Sequence, residues 1–243
     1  MFDSNRIKTG LIIAAAIIII ALLDIYVLNA LLFMVLIFLA FNEAKKIFNT
    51  PNASVCLVLL AFVISAFSRS VSIMIILTLI IIVLANYVYK KEDNLHALMP
   101  YIYPTLPIFV LWQVYLEGGM FVLFWLIFIV SICDSGAYFI GKIAGKTSFT
   151  PTSPNKTREG VVGGIVMATF FGMIFGVQEF DLVFSLIGSF VCSIFAVIGD
   201  LLESYFKRKA GVKDSGNLLP GHGGILDRID ALIIASFAMV LLI

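Results

Sequence analysis

Between Gly199 and Asp230 the chain reads GDLLESYFKRKAGVKDSGNLLPGHGGILDRID. Asp200 and Glu203 stand three residues apart, as do Asp227 and Asp230, so on helices each pair shares one face. Two such pairs can converge on a cation, and carboxylate oxygens with phosphates nearby suit Mg²⁺. The plainer alternative is ion pairing with Lys207, Arg208 and Arg228. For Glu203 with Lys207, in the favourable i,i+4 order, ion pairing is the preferred reading. Asp227 reads differently because it follows a glycine-dense turn, Gly221-His222-Gly223-Gly224, and an ion pair has no need of that chain freedom. Backbone N–H groups at Gly223 and Gly224, with the positive end of the helix that follows, suit an anion such as phosphate. Lys207, Arg208, Lys213 and Arg228 surround the same segment and can hold phosphate oxygens, although a juxtamembrane basic cluster also serves as an anionic-lipid anchor. His222 either bonds a phosphate, or acts as acid or base, or simply steadies the turn.

A second constellation is CDSGAYFIGKIAGKTSFTPTSPNKTREG, from Cys133 to Gly160. Asp134 lies inside an apolar run, where a carboxylate marks a functional position unless a Lys of another helix neutralises it. Gly141 to Thr147, GKIAGKT, looks like a nucleotide-binding loop, but three residues rather than four separate its glycines and no strand precedes it, so that route is rejected. Lys146, Lys156 and Arg158 still form a basic loop able to reach a polyphosphate.

The elements that must position these groups are apolar. Of 243 residues 61% are hydrophobic and 13% charged, and the mean hydropathy is +1.10, far from a soluble domain and right for a bilayer protein. The expected class is an all-α, polytopic integral membrane protein. Apolar runs at about 9–23, 25–41, 54–67, 70–89, 101–116, 119–141, 160–178, 182–203 and 226–243 give nine candidate helices. With the N-terminus cytoplasmic and all nine crossing, every Lys and Arg except Arg69 falls inside, as the positive-inside rule asks. The C-terminus is then outside, and the two chemistry-bearing loops, 142–159 and 204–225, face the cytoplasm. No cleavable signal peptide is expected, because the first run has no small-residue cleavage site. Cys56, Cys133 and Cys192 sit in apolar runs and read as buried hydrophobes. Gly160, Gly164, Gly172 and Gly176 are spaced for close helix packing. Asp24 and His96 receive no role. The expected division is an N-terminal helical region, 1–116, for dimerisation and lipid access, and a catalytic region, 117–243.

Ser204-x-x-Lys207-Arg208, four residues, then Lys213-Asp214-x-Gly216-x-x-Leu219-Pro220-x-His222-Gly223-Gly224-Ile225-x-Asp227-Arg228-Ile229-Asp230 resembles the signature of the phosphatidate cytidylyltransferase (CDP-diacylglycerol synthase) family. CDSGAYFIGKIAGK and SPNKTREG resemble that family's other block. The likeness covers about the C-terminal half. It implies transfer of CMP from CTP to phosphatidate, giving CDP-diacylglycerol and pyrophosphate, by a homodimeric, Mg²⁺-dependent enzyme of the inner membrane with no nucleic-acid partner. By this match Asp200 and Asp227 hold the metal, with Asp230 and Asp134 as further ligands, and a second metal or a monovalent cation is left open. Lys207, Arg208, Lys213 and Arg228 clamp phosphates, Gly223 and Gly224 supply backbone donors, and Lys146, Lys156 and Arg158 hold the nucleotide. Asp227, Lys213, His222 and Arg228 form the expected catalytic set. The rival readings are a polyprenol kinase or archaeal-lipid cytidylyltransferase, and, more remotely, a transporter for which Asp24 and Asp134 are pathway residues.

Overall fold

The computed structural model describes residues 18–20, 22–69, 71–91, 95–218 and 223–243. Among them are seven α-helices: α1 Tyr26–Ile47, α2 Val55–Ser68, α3 Ser72–Tyr89, α4 Leu106–Ala144, α5 Arg158–Gly176, α6 Leu182–Lys209 and α7 Leu226–Leu242. Most of the expected run at 9–23 lies outside the described residues, as does His222. Five helical stretches, Tyr26–Ile47, Ser72–Tyr89, Leu95–Ala144, Arg158–Gly176 and Leu182–Lys209, are long and apolar enough to cross a membrane. Their exposed faces carry large apolar side chains such as Val35, Ile81, Val166 and Ile187, a surface that water would not tolerate and lipid requires. This is a membrane protein.

At 39 residues, α4 would run about 58 Å if straight, nearly twice the hydrocarbon thickness of a bilayer. It is not straight. Gly119 breaks it with φ 68° and ψ −171°, a conformation that needs glycine, so the two expected runs at 101–116 and 119–141 meet at this residue. One departure from an all-α chain appears in the loop after α4. Strands β1 (Ser148–Thr150) and β2 (Ser153–Thr157) form an antiparallel hairpin, with Ser148 opposite Thr157 and Thr150 opposite Ser153. The alternation was hidden among turn-forming Pro, Ser and Thr, which read as irregular loop.

The chain divides into two units, one formed by Met1–Trp112 with Val212–Arg228, the other by Gln113–Gly211 with Ile229–Ile243. The first is built on aromatic packing. Trp112 is fully buried, with Phe33, Phe62 and Tyr26 ring centroids at 5.0, 5.3 and 5.7 Å, and Phe109 meets Phe62 edge to face at 5.6 Å. Tilted and edge contacts of this kind favour the ring quadrupoles. At the end of α2, Arg69 adopts φ 58° and lays its guanidinium 4.3 Å from the Tyr26 ring centroid. Asp24, for which no partner was foreseen, accepts a 3.1 Å bond from Asn29 Nδ2. Cys56 is exposed on α2 while Cys133 and Cys192 are buried. The first of these corrects the reading of all three as buried, because α2 is apolar on every face and its composition does not tell core from periphery.

The second unit is held by small residues. In a bilayer no hydrophobic force drives apolar helices together, so close backbone approach must do it. A Cβ on Gly164 would stand 2.5 Å from the Cys133 carbonyl oxygen, and one on Gly160 2.6 Å from that of Ala137, so α5 lies directly on the backbone of α4. Gly172 and Gly176 make room for Ile129, Ser189 and Trp125, whose indole Nε1 donates to the Gly172 carbonyl at 2.7 Å. The stripe is a packing surface, as its spacing indicated. Asp181 caps α6 by accepting the Val183 and Phe184 amides at 2.9 and 3.0 Å. Gly199 allows α6 to touch the backbone at Asp230 and Ala231.

Candidate active site

In the second unit, the Asp134–Lys142 stretch of α4, strand β2, Val161 of α5 and Asp200 of α6 line a cavity of about 450 Å³. Asp134, Lys142, Asn155, Lys156 and Asp200 are among its polar lining residues. Each has a reason for its place. Asp134 follows Cys133, where α4 contacts Gly164. Lys156 is on β2, one residue before Thr157, whose hydroxyl caps α5 by accepting the Gly160 amide at 3.1 Å. Glu159, in the first turn of α5, accepts the Lys146 and Thr147 amides at 3.1 and 3.3 Å and the Thr147 hydroxyl. These bonds tie the base of the hairpin to the helix. Asp200 follows Gly199 at the close crossing with the backbone of Asp230.

Lys156 Nζ forms an ion pair with Asp200, both side chains being more than two-thirds buried. Burial lowers the pKa of Lys156 from that of an ordinary lysine, while Asp134 and then Asp230 pull it back up. One turn beyond Asp200, Glu203 is completely buried and accepts a 2.8 Å bond from Lys207, the i,i+4 pair expected from the spacing. Its second oxygen, Oε1, is buried, and the Asp230 carboxyl interacts with Glu203 by charge and by a side-chain hydrogen bond. Among the described residues no three His, Cys, Asp or Glu side chains form a ready-made metal cage. A site of one or two carboxylates suits Mg²⁺ that arrives with phosphates, because this ion keeps waters and phosphate oxygens as most of its ligands.

In the first unit the glycine turn is organised by two carboxylates. Asp227 Oδ2 accepts the Ser215 amide at 2.9 Å, the Ser215 hydroxyl at 3.0 Å and the Gly224 amide at 2.8 Å. Glu43, near the end of α1 and only 7% exposed, accepts Ile225 N on Oε1 and both Leu226 N and Ser215 Oγ on Oε2, each at 2.9 Å. A Cβ on Gly223 would stand 2.6 Å from Asp227 Oδ2, and one on Gly224 2.2 Å from Ser215 Oγ and 2.5 Å from Glu43 Oε2. The glycines therefore let the chain close on these groups. The amide of Gly224, expected to face a phosphate, faces Asp227, and the helix N-terminus that follows is occupied by Glu43.

The structure thus brings Asp134, Lys156, Asp200, Lys207 and Asp230 into one neighbourhood of the second unit. Lys146, Arg158 and Arg208 are exposed there, as are Lys213 and Arg228 in the first unit. Glu43, Ser215, Lys142 and Asn155 were not singled out by sequence. Glu43 offered no signal, because an acid beside Lys45 and Lys46 at a helix end looks like ordinary surface charge and its partners lie more than 170 residues away.

An apolar helical protein with carboxylates and lysines gathered at one cavity has, in class, the parts of a membrane enzyme. The chain belongs to the cytidylyltransferase family, whose sequence pattern matches residues 4–243. It is 37% identical over 244 residues to a phosphatidate cytidylyltransferase of Helicobacter pylori, covering 98% of this chain and 90% of that protein. Proteins of the same name from Staphylococcus saprophyticus and Bacillus subtilis are 41% and 45% identical over 153 and 119 residues. These matches cover 61% and 47% of this chain and 58% and 44% of those proteins. The chain is a nucleotidyltransferase.

Proposed function

We propose that this protein is a phosphatidate cytidylyltransferase working at the cavity of Asp134, Lys156 and Asp200. A phosphate oxygen of phosphatidate attacks the α-phosphorus of CTP, the bond from that phosphorus to the β-bridging oxygen breaks, and pyrophosphate leaves as CMP passes to the lipid. Such transfer asks mainly for alignment and neutralisation of charge. Asp134 and Asp200 would hold a divalent cation, which supplies charge neutralisation at the triphosphate. The buried Glu203 carboxyl beside Asp230 fits a further cation. Lys156 neutralises Asp200 until substrate arrives, then turns its ammonium to a phosphate oxygen. Lys142, Lys146, Arg158, Lys207 and Arg208 draw the polyphosphate to the cavity. For the other segment we keep the roles its motif implies, with Asp227 as a metal ligand, His222 at the turn, and Lys213 and Arg228 as phosphate contacts. Phosphatidate is already ionised near neutral pH, so no general base is assigned.

We also propose nine crossings, a cytoplasmic N-terminus, an outward C-terminus and a homodimer in the cytoplasmic membrane, with the cavity on the side where CTP is found. The charge distribution supports this orientation. The observation that carries the reading is the lysine–aspartate cavity in a chain of this family. The test is purified protein in phosphatidate liposomes with Mg²⁺ and CTP labelled in its cytosine, followed by mass spectrometry of the lipid. A CDP-lipid with release of pyrophosphate is expected, and Asp200→Asn abolishes it. Release of CDP with a monophosphorylated lipid, or no lipid labelling, would overturn the reading in favour of a kinase or a transporter.

A further inference from the structure

Glu43 is the single carboxylate of α1. It is nearly buried, and its two oxygens take up the Ile225 and Leu226 amides and the Ser215 hydroxyl. Two of these donors begin α7, where unpaired amides and the helix dipole favour a negative charge. The third is shared, for Ser215 Oγ lies 2.9 Å from Glu43 Oε2 and 3.0 Å from Asp227 Oδ2. That hydroxyl has one proton and so serves one carboxylate at a time. Its lone pairs also receive the Asp227 amide at 3.3 Å. The helix start, the serine and both carboxylates therefore form one connected network, and moving Glu43 releases the far side of the hydroxyl that steadies Asp227.

We propose that Glu43 is a positioning residue. Through Ser215 and the first amides of α7 it fixes the carboxylate of Asp227 and the backbone from Gly223 to Leu226. This rests on the role given to Asp227 in the proposed function. Its consequence is that the helix N-terminus is filled by the chain's own carboxylate and is closed to substrate phosphate. An isosteric amide tests this well. In Glu43→Gln the overall volume stays the same, but one acceptor becomes an NH₂ group facing amide donors, so at least one of the three bonds turns repulsive.

Hydrogen exchange of the detergent-solubilised full chain, without nucleotide or metal, reads the network directly. Glu43→Gln should speed exchange of the Gly224–Leu226 amides about tenfold, the usual scale for one charge-assisted bond, with the α5 and α6 amides unchanged. Glu43→Asp keeps the charge and the acceptors, and covers the case in which the Gln variant does not fold. In the CMP-transfer assay the Gln variant should need about tenfold more Mg²⁺ for half-maximal rate while the KM for phosphatidate is unchanged. Ser215→Ala should act in the same direction, and the double variant should be no worse than the poorer single. Wild-type exchange in Glu43→Gln, additive singles, or a rate loss equal at every Mg²⁺ concentration would overturn the proposal. Asp227→Asn, run alongside, separates the two ideas. If it abolishes transfer while Glu43→Gln matches wild type, the positioning role falls and the functional reading stands. If Asp227→Asn matches wild type, the role of Asp227 falls, and with it the positioning proposal, although the exchange data still show whether Glu43 closes the turn.

Discussion

Gly164→Ala adds one methyl group at the tightest crossing beside the cavity. The new Cβ would stand 2.5 Å from the carbonyl oxygen of Cys133 and 2.9 Å from the Ala137 amide nitrogen, where ordinary contact begins at 3.4 Å. The first of these atoms is backbone one residue before Asp134 and cannot rotate away, so α4 and α5 must part by about 0.9 Å. Overpacking of this kind costs about 1–3 kcal/mol, which a folded membrane protein can absorb. The catalytic cost is larger, because α4 carries Asp134 and α5 anchors the hairpin that carries Lys156. A misplacement of about 1 Å in a reacting constellation costs about 100-fold, or about 2.7 kcal/mol of transition-state stabilisation. The assay is kcat/KM for CMP transfer per mole of monodisperse protein, with thermal unfolding as the control for folding. Gly160→Ala, 2.6 Å from the Ala137 carbonyl, should follow closely. Gly136→Ala, whose nearest atom is the movable Met167 sulfur at 3.1 Å, should lose less, and exposed Val162→Ala almost nothing. A folded Gly164→Ala enzyme at wild-type rate, or a series out of this order, would refute the claim that helix contact sets the cavity geometry.

The lowered pKa of Lys156 means that its ammonium loses its proton, as pH rises, earlier than an ordinary lysine. Acylation of the metal-free protein, followed residue by residue by mass spectrometry, should therefore show a lower midpoint pH for Lys156 than for a lysine peptide, and an equal midpoint would contradict this. Lys156→Arg should retain more transfer activity than Lys156→Met, since it keeps the charge opposite Asp200. Glu159→Ala should release the Lys146 and Thr147 amides, raise proteolytic cleavage between residues 146 and 157, and raise the KM for CTP. Unchanged cleavage would sever the hairpin from α5. Asp181→Ala should lower stability by about 1 kcal/mol through loss of the α6 cap and leave kcat/KM unaltered, and a loss of activity without a loss of stability would place Asp181 in the reaction.

The membrane class and the place of most helices followed from composition and from polar breaks between apolar runs, because a bilayer accepts little else, although α1 and α6 run about two turns past their expected ends. The Gly160–Gly176 stripe and the Glu203–Lys207 pair were legible for the same reason, since both depend on one helix and its period. Asp134 and Asp200 stood out as carboxylates in or beside apolar runs, and that they line one cavity appeared only in the fold. What needed tertiary structure was every partner distant in sequence. Lys156 meets Asp200 only because a hairpin, invisible in a stretch of Pro, Ser and Thr, packs against the start of α5 and brings its lysine to α6. Glu43 looked like surface charge until it was seen to meet Ser215 and the start of α7. The same contact changed the meaning of the glycine turn. Glycine spacing reports that backbone approaches something closely, but which group comes near is decided by chain segments that no local pattern contains.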